Sequence, residues 1–121
     1  MKTIMGIEYG RAATATITNA GPALGPGAIR KMFPDNPWIA VIPDEFNLAE
    51  CQADRFAENL KIQTKIYAAT PTESHIMVGG DHSVNFGHFA SIADQFPDED
   101  ICLVYIDAHL DMHTPESSRA Q

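Results

Sequence analysis

Apolar residues fall along the chain in short runs separated by glycine, proline and acidic punctuation. Ile4, Met5, Ile7 and Tyr9 around Gly6 predict a first strand over residues 1–9. Residues 11–27 read as loop, closed by the dense Gly21-Pro22-Ala23-Leu24-Gly25-Pro26-Gly27. A short helical stretch over 28–33 follows, and Pro34 and Pro37 end it. Residues 38–43, WIAVIP, form a second strand. Next comes a long helix whose start carries the capping-like pair Asn47 and Glu50 and whose apolar face is Ala49, Ala53, Phe56, Leu60 and Tyr67. It closes at Thr70-Pro71-Thr72. A third strand spans 75–79, and a helix of about a dozen residues runs to Phe96, with Phe86, Phe89, Ala90, Ala93 and Phe96 expected in the core. Pro97-Asp98-Glu99-Asp100 reads as a solvated turn into the apolar run 101–106, ICLVYI, expected to be a fourth, buried strand.

Short buried strands separated by helices imply parallel pairing through right-handed crossovers, hence an α/β layered fold in one domain over residues 1–121. In open parallel sheets, sites form beyond the carboxyl ends of the strands. That rule places two motifs on one edge: Gly79-Gly80-Asp81-His82-Ser83 after the third strand, and Asp107-Ala108-His109-Leu110-Asp111 after the fourth. In extended chain, side chains at i, i+2 and i+4 project to one side roughly 6 to 7 Å apart, so Asp107, His109 and Asp111 share a direction. If the two strands are neighbours, His82 meets them. Two carboxylates and two imidazoles without a thiolate suit Mn, Fe, Co, Ni or Zn. Asp81 is better placed as a cap on the following helix than as a ligand. His75 reads as an exposed strand start and His88 as a surface or satisfied helix histidine.

The remaining composition narrows the setting. A chain of 121 residues, 45% hydrophobic and 20% charged, suffices for one domain with a modest core. Sixteen acidic against eight basic residues give a net charge of -8, which argues against nucleic acid or an anionic membrane and favours a cationic ligand. Cys51 and Cys102 make no disulfide framework, and Cys102 is expected to pack as a small hydrophobe. A reducing, cytoplasmic compartment fits. No run approaches the ~20 apolar residues that span a bilayer, and Glu8 and Arg11 interrupt any secretory segment.

The two motifs, with Thr114-Pro115 and the weaker upstream Gly25-Pro26-Gly27-Ala28-Ile29-Arg30, resemble the ureohydrolases, the arginase, agmatinase and formimidoylglutamase family. The resemblance implies a three-layer α/β/α sandwich with a binuclear Mn2+ site, hydrolysing a guanidino or amidine carbon-nitrogen bond of an arginine-, agmatine- or formiminoglutamate-like substrate by metal-activated hydroxide. It assigns His82, Asp107, His109 and Asp111 as metal ligands, Asp107 bridging and Asp111 also positioning the hydroxide, and it puts His113 where the family faces substrate. The family's later Asp-x-Asp ligands have no counterpart among these residues. The expectation is therefore an N-terminal segment, incomplete at the C-terminal side of its sheet, that is a homo-oligomer or lacks its C-terminal portion. The alternative is a truncated, non-catalytic product that binds metal weakly or serves only as an oligomerisation or interaction module. A zinc deacetylase of related architecture fits less well, because of Gly-Gly-Asp-His-Ser and the additional Asp111.

Overall fold

The computed structural model describes residues 1–10, 21–42 and 55–108. Three parallel strands form its centre, β1 (Thr3–Ile7), β2 (Trp38–Val41) and β3 (His75–Val78), in the order β2-β1-β3. Ile4 pairs with Trp38 on one side and with Ile76 on the other. Parallel neighbours need a crossover between them, and two helices supply it: α1 (Gly21–Met32) between β1 and β2, and α2 (Arg55–Ala69) between β2 and β3. A third helix, α3 (Asn85–Gln95), follows β3 through a single 3-10 turn at His82–Val84.

Ile4, Met5 and Ile7 are all buried, so consecutive residues of β1 are covered on both faces, as a central parallel strand requires. Met5, Ile7 and Tyr9 point to one face, where Val41, Val84, Ile62 and Ile66 complete the core. On the other face the indole of Trp38 closes over Gly6, and Arg30, in the last turn of α1, sits 5.7 Å from the ring centroid of Trp38, within cation-π reach.

The elements depart from the sequence expectation in four places. Helix α1 begins at Gly21, inside the stretch read as loop. Pro22 falls in the first turn, whose N-H groups have no helical partner, and Pro26 gives up one helical hydrogen bond while its ring is buried in the core. In α2 the buried stripe is Ile62, Gln63 and Ile66, whereas Leu60 and Tyr67 are exposed. At 100° per residue, the expected face lies roughly a third of a turn away from the observed one. Asn47, Ala49, Glu50 and Ala53 lie outside the described residues.

The third departure is in α3. Phe86, Phe89 and Phe96 are exposed, and the buried positions are Gly87 and Ser91. A β-carbon on Gly87 would stand 2.4 Å from the backbone oxygen of Gln63, so the crossing of α2 and α3 is too close for anything larger. Tyr67 joins the same two helices at the surface by donating to the Asp94 carboxylate at 2.7 Å. That hydrogen bond, with the carboxylate's charge and some loss of solvent, raises the phenol's pKa.

The fourth departure is the run 101–106, which is no strand. Val104 and Ile106 are 78% and 95% exposed, Cys102 is exposed, and no strand pairs with the run among the described residues. An apolar strand is buried only between neighbours that take up its backbone hydrogen bonds and cover its faces. The parallel layered architecture stands, with β2 and β3 as its edges among the described residues.

His75 and His88 also differ from expectation, since they meet: their Nε2 atoms are 2.8 Å apart, joining β3 to α3. Loss of solvent, and then the nearby His75, lower the pKa of His88 below the ordinary 6.5.

Two outcomes follow from this packing. Urea denaturation should show Ile66→Ala losing about 2 to 5 kcal/mol, while Leu60→Ala, on the face the sequence favoured, loses less than about 1 kcal/mol. Because the unfolded chain takes up the His88 proton more readily than the folded one, stability is full above about pH 6.5 and falls as pH drops through the lowered folded value. The urea midpoint should decline between pH 7.5 and 5.5, and His88→Gln should flatten that decline.

Candidate functional site

All three strands run the same way, so the turn after β3 and the end of β1 lie on one edge of the sheet. The two are joined there: the Asp81 N-H donates to the Tyr9 carbonyl at 3.2 Å. Gly80 makes the approach possible, since a β-carbon there would fall 1.8 Å from that same carbonyl oxygen. One Asp81 carboxylate oxygen accepts from the Ser83 N-H at 3.0 Å and from the Ser83 hydroxyl at 2.5 Å. Asp81 thus caps the 3-10 turn and is committed to backbone architecture.

A residue that sequence reasoning passed over holds this turn from the other side. Gln63 of α2 is only 5% exposed. Its amide nitrogen donates to the Ser83 carbonyl at 2.7 Å, and its amide oxygen accepts from the Gly87 N-H at 2.7 Å. One side chain therefore bonds both an acceptor of the turn and a buried donor in the first turn of α3. The signal available in the sequence was a polar residue between Ile62 and Ile66 on the buried stripe.

The structure brings His82 and Asp107 together. Nδ1 of His82 is 3.2 Å from an Asp107 carboxylate oxygen, and the Tyr105 hydroxyl oxygen is 2.8 Å from the same nitrogen. His82 is largely exposed (66% of its side chain), while the Asp107 side chain is 11% exposed. Nδ1 of His82 thus faces a carboxylate, which only accepts, and a phenol, which can donate or accept. Tyr105 was the second residue missed. It stands two positions before Asp107, hence on the same side of extended chain, and that parity was its signal.

The donor set fits a divalent cation. Two ligands about 2.1 Å from one ion and 90 to 110° apart are themselves roughly 3 to 3.5 Å apart, the separation that Nδ1 of His82 and the Asp107 oxygen already have. His109, Asp111 and His113 lie outside the described residues. Among the described residues no group of three or more His, Cys, Asp or Glu is arranged to hold a metal. The same residues contain no helix long and apolar enough to cross a membrane.

Comparison with known proteins is consistent in direction. The model of the arginase family matches residues 3–121. A formimidoylglutamase of Macrococcus caseolyticus is 27% identical over 93% of this chain and 37% of its own length, and one of Salmonella paratyphi A is 25% identical over 90% and 36%. A non-hepatic arginase of Xenopus laevis is 45% identical over a shorter stretch, 33% of this chain and 11% of that protein. The chain thus spans little more than a third of the length of the formimidoylglutamases it matches. No solved structure matches it.

Removing the Gln63 amide takes a side-chain acceptor from the buried Gly87 N-H and one of two donors from the Ser83 carbonyl, which keeps the Asn85 N-H. Gln63→Ala is expected to cost about 2 kcal/mol or more by urea denaturation, against about 1 kcal/mol for loss of the turn's own cap in Asp81→Ala.

Proposed function

The chain belongs to the arginase family of ureohydrolases, and from that premise we propose that it supplies the first ligands of a Mn2+ centre in a protein that hydrolyses a carbon-nitrogen bond of a small amidine. The observation that carries this reading is the meeting of His82 and Asp107, from two motifs distant in sequence, on the carboxyl edge of the sheet at a separation suited to one cation. His109 and Asp111 follow Asp107 at the same parity and complete the proposed ligand set, with Asp107 bridging and Asp111 also orienting water.

Bound divalent manganese would supply Lewis acidity toward water and toward the planar carbon of the substrate. The residues of this chain prepare that position. His82 turns Nδ1 inward to Asp107, and a cation would sit between that nitrogen and the carboxylate. Asp81, Gln63 and Gly80 hold the turn that aims the ring.

Among amidines, a formimino substrate related to formiminoglutamate is the preferred reading. The relatives matched along about nine-tenths of the chain are formimidoylglutamases, whereas the arginase matches only a third of it. His113 is the residue proposed to face that substrate, and the chain's net charge of -8 suits a cationic amidine group.

A second reading rests on the exposed apolar run 101–106. Such a run suits association, and we propose a homo-oligomer, or packing against further polypeptide of a longer ureohydrolase; the cytoplasmic setting is proposed from the lack of a disulfide framework in Cys51 and Cys102. In this reading the chain alone is an assembly module that binds metal weakly.

Calorimetric titration of the chain with Mn2+ tests the metal centre. His82→Ala and Asp107→Ala should each weaken binding about tenfold or more, and unchanged binding in both variants would sink the proposal. Formamide or urea release, measured with Mn2+ supplied, distinguishes a formimino from a guanidino substrate.

A further inference from the structure

His75 and His88 lie at the other end of the third strand from the candidate Mn2+ centre. His75 is the first residue of β3, and Gly79 of the site turn follows about 13 Å further along at the usual rise per residue. The two imidazoles approach edge-on, with ring centroids 5.1 Å apart, an interplanar angle of 85° and the Nε2 atoms 2.8 Å apart. Their protons can be assigned. His75 Nδ1 is 2.8 Å from the Glu73 carbonyl oxygen, which can only accept, so Nδ1 carries the proton and Nε2 presents a lone pair. His88 Nε2-H donates to that lone pair, and among the described residues its buried Nδ1 has no hydrogen-bond partner.

We propose that His75 and His88 form a second cation site, a two-imidazole chelate for a borderline divalent ion of the Zn2+, Ni2+ or Cu2+ class. Hydrogen-bonding His75 Nδ1 to a backbone carbonyl is the usual way of fixing an imidazole so that Nε2 can ligate. Two nitrogens at about 2.05 Å from a tetrahedral ion are roughly 3.3 Å apart, so from their present head-on contact the nitrogens part by about half an ångström and each ring pivots by roughly 35° to aim at one point. For Nε2 of His88 to ligate, its proton moves to Nδ1, with no net release. Among the described residues Nδ1 has no partner, so the move gives up the bond to His75 and leaves a buried N-H, a cost that the metal-nitrogen bonds offset. The lowered proton affinity of His88 keeps it neutral, and so available to a metal, at pH 7.

Ligand type separates this site from the other. Two imidazoles without a carboxylate select Zn2+, Ni2+ or Cu2+ over Mn2+, which prefers oxygen. No third His, Cys, Asp or Glu joins them among the described residues, so water fills the remaining positions. A bound ion would clamp β3 to α3 and stabilise the folded chain by mass action.

The test is a Zn2+ titration of the 121-residue chain at pH 7.5, followed through the side-chain 15N resonances of its five histidines. His75 and His88 should shift together, at a Zn2+ concentration distinct from that moving His82, His109 and His113, and Mn2+ should leave the pair unbroadened at concentrations that broaden His82. His88→Gln and His75→Gln, checked for folding by circular dichroism, should each abolish the paired event while His82→Ala retains it. Resonances of His75 and His88 that stay fixed while Zn2+ saturates the other histidines overturn the proposal in the unmutated chain. Retention of the event in either folded glutamine variant overturns it as well.

Discussion

The Gln63 carboxamide is the interaction on which the described architecture turns. The 3-10 turn ahead of α3 takes up the Asn85 N-H, whereas the N-H groups deeper in the first turn lie in the crossing with α2, sheltered from water. Gln63 reaches from the neighbouring helix to satisfy one of them, at Gly87, and to occupy the Ser83 carbonyl with its other end. The contact requires α2 and α3 to lie nearly backbone to backbone, which is why Gly87 and Ser91 occupy the crossing. Side-chain amide, small-residue crossing and capped turn are one device, and its product is a fixed direction for His82.

The same closeness explains the exposed aromatic rings. A helix has one face to bury, and once glycine and serine take the side toward α2, Phe86, Phe89 and Phe96 are turned outward. The run 101–106 lies exposed as well. An unusual amount of apolar surface is therefore presented together with a site that shows two ligands, as befits a chain spanning little more than a third of the length of its relatives.

Several features were legible in the residues. The three strands were, because short β-branched runs bounded by Gly, Pro and Asp carry their own signal. The layered parallel class was too, because helices separate those strands. Asp81 at its turn followed from strand-end placement, whereas Asp107 meets His82 without a strand at 101–106 to deliver it. Helix α1 was not legible, since Pro22 and Pro26 argue locally for loop and only burial of the Pro26 ring against the sheet outweighs the lost hydrogen bond.

Local chemistry thus decided the three strands and the turn at Asp81, because these depend on backbone preference and donor type. Helix faces, the Gln63 bridge, the meeting of His75 with His88 and the exposure of 101–106 were decided only in three dimensions. Each depends on whether a particular neighbour is present, and periodicity does not carry the identity of the neighbour. The apolar stripe of α2 could have been placed on either side of Gln63. What chose between them was the position of Met5 and Ile7 on the sheet beneath.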